Sequence, residues 1–225
     1  MLIEEAVQRL ADLIRSLTDF RVYEEHEIDR YDHMGAAIAD AVLQAQRDYY
    51  SVVAPRTERI LKRWPEAKSV SGVLQCLKSV SPSDFLDWSD NPSSSSYLAH
   101  RVRRFVEILT LLKNSGVEST DDLKHWLTVE EHSAKLSAIY GVGSKTTEYI
   151  KILVGLQTAA PDTRLREFLA QAGIPSAGDL NDGEIINRTA DLLSIPRSCF
   201  DQSIWQYVGA HSGKGTVAGT CVGRI

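Results

Sequence analysis

The chain has 225 residues, of which 43% are hydrophobic and 24% are charged, as expected for a globular protein of one large or two small domains. No stretch approaches the roughly 18 consecutive apolar residues that a membrane-spanning helix needs, so no membrane partner is expected. The formal net charge of −5 argues against a uniformly basic nucleic-acid-binding protein, although the basic stretch at residues 101–104 leaves room for a local basic face.

Apolar residues at helical spacing begin at the N-terminus, where Ile3, Ala6, Leu10, Ile14 and Leu17 form one stripe. This segment lacks the basic start and the uninterrupted apolar run of a secretory signal, which indicates an intracellular protein, cytoplasmic or nuclear. The same periodicity predicts further helices, in chain order, over residues 34–47, 55–64, 70–77, 82–88, 97–114, 120–126, 144–156, 163–172, 182–193 and 198–210.

Capping residues support several of these helix starts. Ser81 precedes a proline that suits the first helical position, Ser119 precedes a helix, and Thr128 with Glu131 predicts a capping box. No strand pattern is longer than a few residues, so the sequence predicts an all-α protein of about ten helices. The serine-rich segment 89–96 is a loop that could be a domain hinge or a surface loop.

The most informative stretch, residues 136–162, reads LSAIYGVGSKTTEYIKILVGLQTAAPD. Gly141 and Gly143 permit positive φ or a close backbone approach, and Val142 can plug the space between the two flanking helices. The amides that follow would then lie at a helix N-terminus, where N–H groups and the helix dipole attract phosphate. This pattern predicts a helix-hairpin-helix that binds a DNA backbone, and its plainer alternative is an αα turn with glycine after the first helix.

The string from Ile139 to Thr147, followed by Pro161, Asp162, Thr163 and Arg164, resembles the helix-hairpin-helix and Gly/Pro…Asp motif of the endonuclease III and 8-oxoguanine glycosylase superfamily. That superfamily excises damaged bases from DNA. The resemblance implies a two-lobed, all-helical HhH-GPD DNA glycosylase fold, with residues 34–156 as one lobe and residues 1–33 with 157–225 as the other. It also implies a monomer whose partner is duplex DNA with a damaged or modified base.

The resemblance places catalysis at Lys145 and Asp162. Lys145 matches the lysine of the bifunctional branch, which attacks the sugar and forms a Schiff base, so AP-lyase activity is implied as well. Such a lysine must be uncharged to act as a nucleophile. Asp162 matches the catalytic aspartate that stabilises the cationic sugar. Asp162 also precedes a predicted helix and suits an N-cap, and a surface lysine in a first helical turn is common, so purely structural roles remain as alternatives.

The remaining candidates fall into two groups. The first comprises DNA-backbone and duplex contacts: Gly141, Val142, Gly143, Ser144 and Thr146 in the hairpin, and two residues whose roles the resemblance implies, Arg164 at a phosphate and Gln46 as a wedge into the duplex. The second comprises aromatics for an extruded base: Tyr97, Phe200 and Trp205. The plainer readings are a helix end for Gln46, a solvated arginine for Arg164, and core packing for the aromatics.

No iron–sulfur cluster is expected, because Cys199 and Cys221 alone lie where many relatives of endonuclease III carry four clustered cysteines. Three widely spaced cysteines also match no paired metal site. The resemblance does imply a monovalent cation on the carbonyls of the hairpin. Two other functions fit the same residues: a non-catalytic DNA-binding module, and a helical protein-interaction domain with a fortuitous hairpin.

Overall fold

A computed structural model describes residues 2–44, 47–87, 95–176 and 178–211 of the chain, except for the side chains of residues 95–98, 179 and 180. Twelve α-helices and no β-strand occur in this part of the chain, which confirms the all-α prediction. The helices are α1 (Ile3–Ser16), α2 (Met34–Leu43), α3 (Ala54–Arg63), α4 (Val70–Cys76), α5 (Pro82–Phe85), α6 (Ser95–Asn114), α7 (Thr120–Trp126), α8 (Glu130–Ser137), α9 (Ser144–Leu153), α10 (Thr163–Gln171), α11 (Asp179–Leu192) and α12 (Arg197–His211).

The chain divides into two compact units. The terminal unit comprises Met1–Asp29 and Leu156–Ile225, and the central unit comprises Arg30–Gly155. None of the helices in the described ranges is long and apolar enough to cross a lipid bilayer.

The terminal unit is built from α1, α10, α11 and α12. Helix α1 packs on α11, and α12 packs on both α10 and α11. The stripe predicted for α1 is the one that the structure buries, since Ala6, Leu10 and Ile14 lie in the hydrophobic core of this unit. Phe20 continues the same core after the helix, with its ring centroid 5.9 Å from that of Phe168.

The central unit is organised around α2. All ten of its residues are buried, and it contacts α3, α4, α6 and α9. Half of its sequence, MGAAIADAVL, is glycine or alanine, and these small residues allow neighbouring helices to approach closely. A Cβ at Gly35 would lie 2.9 Å from the Phe85 ring, so glycine is required there by packing.

Three local predictions from the sequence need correction. Helix α2 ends at Leu43 rather than Arg47, and a π-helical turn, Tyr49–Val53, precedes α3. The capping box at Thr128 is wrong, because Val129 is the N-cap of α8 without a side-chain bond and the Thr128 hydroxyl donates to the His125 carbonyl (2.7 Å). Helix α5 stops at Phe85, although its predicted cap, Ser81, is present.

Buried thiols explain two of the three cysteines. Cys76 and Cys199 are buried and free, and burial raises the pKa of the Cys76 thiol to about 11. A thiol with such a pKa stays protonated and unreactive at neutral pH. Cys221 lies outside the described residues.

His33 caps the start of α2 in its neutral form. Its Nδ1 accepts from the Ala36 N–H (3.1 Å), and its Nε2 lies 2.8 Å from the Trp64 carbonyl oxygen, so the Nε2–H tautomer satisfies both contacts. The side chain is buried, and this burial lowers the pKa of His33 below its ordinary value. Protonation would put a proton on Nδ1 against the Ala36 N–H and would break the cap.

We therefore expect stability to depend on pH through His33. Because its pKa is lower in the folded state, the stabilisation is complete above the unfolded pKa, about 6.5, and is lost as pH falls through the folded pKa. The loss is up to about 1.4 kcal/mol for each pH unit between the two values. Urea unfolding from pH 8 to pH 5 measures it. His33→Asn keeps a cap without a titrating group, and an unchanged pH slope in this variant would contradict the assignment.

Candidate functional site

The predicted hairpin consists of α8, residues 138–143 and α9. Val142 is only 2% exposed and fills the space between the helices, while its N–H donates to the Ile139 carbonyl (2.9 Å). The Ser137 and Thr147 hydroxyls bond each other across the two helices (2.9 Å). The turn is therefore fixed by an apolar plug on the inside and by a hydroxyl pair between its arms.

The two glycines of the turn serve different purposes. Gly141 has φ +79°, and a Cβ there would lie 2.1 Å from Nη2 of Arg104. Both its backbone conformation and its neighbour demand glycine. Gly143 has φ −91°, which any residue adopts, and no atom lies within 4 Å of a Cβ built on it. Nothing within the described chain requires glycine at position 143.

Gly143 is exposed and forms the N-cap of α9, and because it has no side chain it makes no side-chain cap bond of its own. The positive end of the helix dipole therefore faces outward through a residue that presents only backbone. This is the geometry in which a phosphate oxygen can approach helix amides closely.

Helix α6 contributes a residue to the hairpin that the sequence did not single out. The guanidinium of Arg104 lies against Gly141, and its Nε–H donates to the Tyr140 carbonyl oxygen (3.3 Å). Tyr140 is 68% exposed, and its ring centroid is 5.9 Å from that of His100, one turn before Arg104 on α6. The hairpin tip thus carries an aromatic ring and a fixed positive charge.

Lys145 is the second residue of α9 and belongs to the central unit. Its side chain is partly buried, like those of Ser144 and Thr146. One turn later, the Tyr149 hydroxyl donates to Oδ1 of the buried Asp40 on α2 (3.1 Å). This bond helps to fix the helix from which Lys145 projects.

Asp162 is the N-cap of α10 in the terminal unit, which confirms its predicted capping role. Its Oδ1 accepts from the N–H groups of Arg164 (2.9 Å) and Leu165 (3.1 Å). The segment before it is held by Asp201, whose Oδ1 accepts from the Ala160 N–H (2.8 Å). These two capping bonds hold the Asp162 carboxylate in one orientation through Oδ1, and neither of them involves Oδ2.

The structure brings together two other predicted residues, Arg164 and Trp205. The Arg164 guanidinium lies over the Trp205 ring, 3.8 Å from its centroid, so one face of the indole is covered within the terminal unit. Phe200 is 0% exposed and lies in the hydrophobic core, which corrects its assignment to a base pocket. Gln46 and the side chain of Tyr97 lie outside the described residues.

A cavity of about 220 Å³ in the central unit lies between α3 and α5, and its lining includes Arg59, Arg63 and Trp64. None of the predicted site residues lines it. Within the described ranges no group of three or more His, Cys, Asp or Glu side chains is placed to hold a metal ion.

The differing glycines lead to a prediction about stability. Gly141→Ala should lower the free energy of unfolding by about 1–2 kcal/mol, because alanine disfavours positive φ, and it should also displace Arg104. Gly143→Ala should change stability by no more than about 0.5 kcal/mol, because its φ is ordinary and the space is open, and the gain from a stiffer unfolded chain is offset by the loss of a favoured N-cap residue. Urea denaturation of the two variants measures the difference. Equal losses in both would contradict the distinction.

Comparison with known proteins supports the fold. No protein-family model matches the chain, and no curated protein matches it. Among solved structures, the chain is similar to the 8-oxoguanine DNA glycosylase of Thermotoga maritima, with 17% sequence identity, a TM-score of 0.50, and coverage of 96% of this chain and 90% of that one. The chain therefore has the helical DNA glycosylase fold.

Proposed function

We propose that this protein is a DNA N-glycosylase that excises a damaged or modified base from duplex DNA, and that it also acts as an AP lyase. The observation that carries the proposal is the start of α9 at Gly143, which is exposed and presents only backbone. The fold supports it, since a solved structure of the same fold is an 8-oxoguanine DNA glycosylase. We further propose that the protein acts as an intracellular monomer.

Gly143 supports a phosphate site because packing within the described chain does not require glycine there, although glycine is also a favoured N-cap residue. Its φ is ordinary and the space around it is empty, so glycine there suits the close approach of an external group. The outward helix N-terminus favours an anion. A DNA phosphate fits this arrangement, with Gly141 and Val142 shaping the turn and Ser144 and Thr146 flanking the contact.

Lys145 is the proposed nucleophile. Its uncharged Nζ attacks C1′ of the deoxyribose, and the bond from C1′ to the base breaks, with the electron pair leaving on the base, which takes up a proton. Opening of the sugar ring and loss of a proton from nitrogen give a Schiff base between C1′ and Nζ. Removal of a C2′ proton then expels the 3′ phosphate, and water releases the lysine.

Asp162 is the proposed electrostatic partner. Its carboxylate would stabilise positive charge on the sugar and carry protons between steps. The N-cap geometry suits this role, because two backbone N–H groups hold one carboxylate oxygen in place. In the terminal unit, Arg164 is proposed to contact a DNA phosphate, with its guanidinium plane held on Trp205.

Borohydride trapping tests the chemistry. Purified protein is incubated with duplexes that each carry a different altered base or an abasic site, and borohydride reduces any Schiff base to a stable adduct. We expect a covalent adduct on at least one duplex and its complete loss in Lys145→Gln. Lys135→Gln is the matched control, because it removes the same charge from the exposed face of α8 in the same hairpin.

Adduct formation that survives Lys145→Gln would contradict the proposed nucleophile. Base release without any adduct would point to a monofunctional glycosylase. Tight duplex binding with neither product would favour the non-catalytic DNA-binding module.

Salt dependence of binding tests the partner. Duplex affinity should fall with salt concentration, with a slope of about −0.9 in log–log form for each phosphate contact. Gly143→Ala, expected to fold normally, should weaken binding by about tenfold, because a Cβ over the helix end pushes the phosphate from its hydrogen bonds. Absence of salt-dependent duplex binding in the wild-type protein would instead favour the protein-interaction domain.

A further inference from the structure

The hairpin carries its own fixed cation, Arg104. Its Nε–H donates to the Tyr140 carbonyl, and its terminal nitrogens lie against Gly141 closely enough that only glycine fits there. Arginine stays protonated in proteins, so this charge is permanent. The contact joins residues 36 positions apart, and the missing Cβ of Gly141 makes room for it.

A monovalent cation on the hairpin carbonyls fits this arrangement poorly. The Tyr140 carbonyl accepts a hydrogen bond from a guanidinium, and the Ile139 and Gly143 carbonyls accept from the N–H groups of Val142 and Thr147, so these bonds leave each oxygen one lone pair for a metal ion. A metal ion placed among them would, however, face the positive charge of Arg104 at short range, which is repulsive.

We propose that Arg104 takes the place of that monovalent cation and donates to the DNA phosphate held at the start of α9. The inference rests on the proposed function for its partner, a nucleic-acid phosphate. Arg104 is a DNA-binding residue in this scheme, and the duplex affinity of the protein does not require a metal ion.

The donor geometry supports this role. A guanidinium has five N–H donors, and Arg104 uses the one on Nε for Tyr140. Across the described residues, no carboxylate pairs with Arg104, whereas its neighbour Arg103 is paired with Glu107 (2.7 Å). The terminal nitrogens of Arg104 therefore keep donors for a phosphate, and a bidentate guanidinium–phosphate contact is among the strong hydrogen bonds.

The exposed surroundings fit a DNA backbone. Tyr140 is 68% exposed beside the guanidinium, and His100 is exposed on the same face of α6. Together with Gly141 and Gly143, these residues give a tip that offers donors and one aromatic ring without an acidic side chain.

The first test compares cations. Affinity for a fluorescein-labelled duplex that carries a stable tetrahydrofuran abasic analogue is measured by anisotropy in KCl, NaCl and tetramethylammonium chloride at one ionic strength. We expect the same affinity for the wild-type protein in all three salts. A marked loss of affinity in tetramethylammonium chloride alone would overturn the proposal, because it would show that a bound alkali-metal ion is required.

The second test uses variants. Arg104→Gln should weaken binding by about tenfold or more and reduce the salt slope by about 0.9, the value for one phosphate contact. Arg103→Gln is the matched control, since it removes the same charge at the neighbouring position, where the arginine is already paired with Glu107. Arg104→Lys should keep the salt slope but lose part of the affinity, because lysine lacks the planar fork.

Equal effects of Arg104→Gln and Arg103→Gln on duplex affinity would overturn the proposal, since they would show that Arg104 contributes only its positive charge and no specific phosphate contact. If Arg104→Gln fails to fold, the cation comparison on the wild-type protein decides. Failure of the proposed function looks different, because the wild-type protein would then show no salt-dependent duplex binding in any of the three salts.

Discussion

Burial of α2 is the constraint on which the central unit depends. Ten consecutive buried residues leave this helix no solvent face, so α3, α4, α6 and α9 are each placed by contact with it. Small side chains make the close approach feasible, as at Gly35, where the Phe85 ring occupies the space of a side chain. Two of these helices reach the hairpin: α9 is its second arm and α6 supplies Arg104. Through this packing, residues that are distant in sequence are held next to each other at the hairpin.

The buried carboxylate of Asp40 helps to hold α9 against α2. An unpartnered charge at 0% exposure would cost several kcal/mol, so its position is tolerable only with donors around it. The hydroxyls of Tyr31 (2.8 Å) and Tyr149 (3.1 Å) provide them. Because Tyr149 lies one turn after Lys145, the bond that neutralises the cost of burial also fixes the helix that carries the proposed nucleophile. One hydrogen bond, from Tyr149 to Asp40, thus both satisfies the buried carboxylate and orients α9.

Local rules predicted the elements whose signals are local. The apolar stripe of α1, the Ser119 cap of α7 and the Asp162 cap of α10 all follow from neighbouring residues, and the structure confirms them. Predictions failed where packing or a competing local hydrogen bond overruled the expected pattern. Phe200 lies at helical spacing on α12 and went to the core, as aromatics at such positions usually do. Thr128 had an alternative acceptor in the turn before it, the His125 carbonyl, so its hydroxyl did not cap α8.

Arg104 illustrates what the sequence could not supply. The basic stretch at residues 101–104 was visible, but helical spacing alone cannot tell which of its arginines meets a turn that begins more than 30 residues later. The structure separates them by their partners: Arg103 pairs with Glu107 on its own helix, while Arg104 contacts Tyr140 and Gly141.

The surroundings of each residue also distinguish the two glycines of the turn. Gly141 is required by its φ and by its arginine, whereas packing does not require Gly143, whose open surroundings leave room for a group that approaches from outside. A glycine that packing does not require leaves the start of α9 open, and an open helix start is a position that favours an anion.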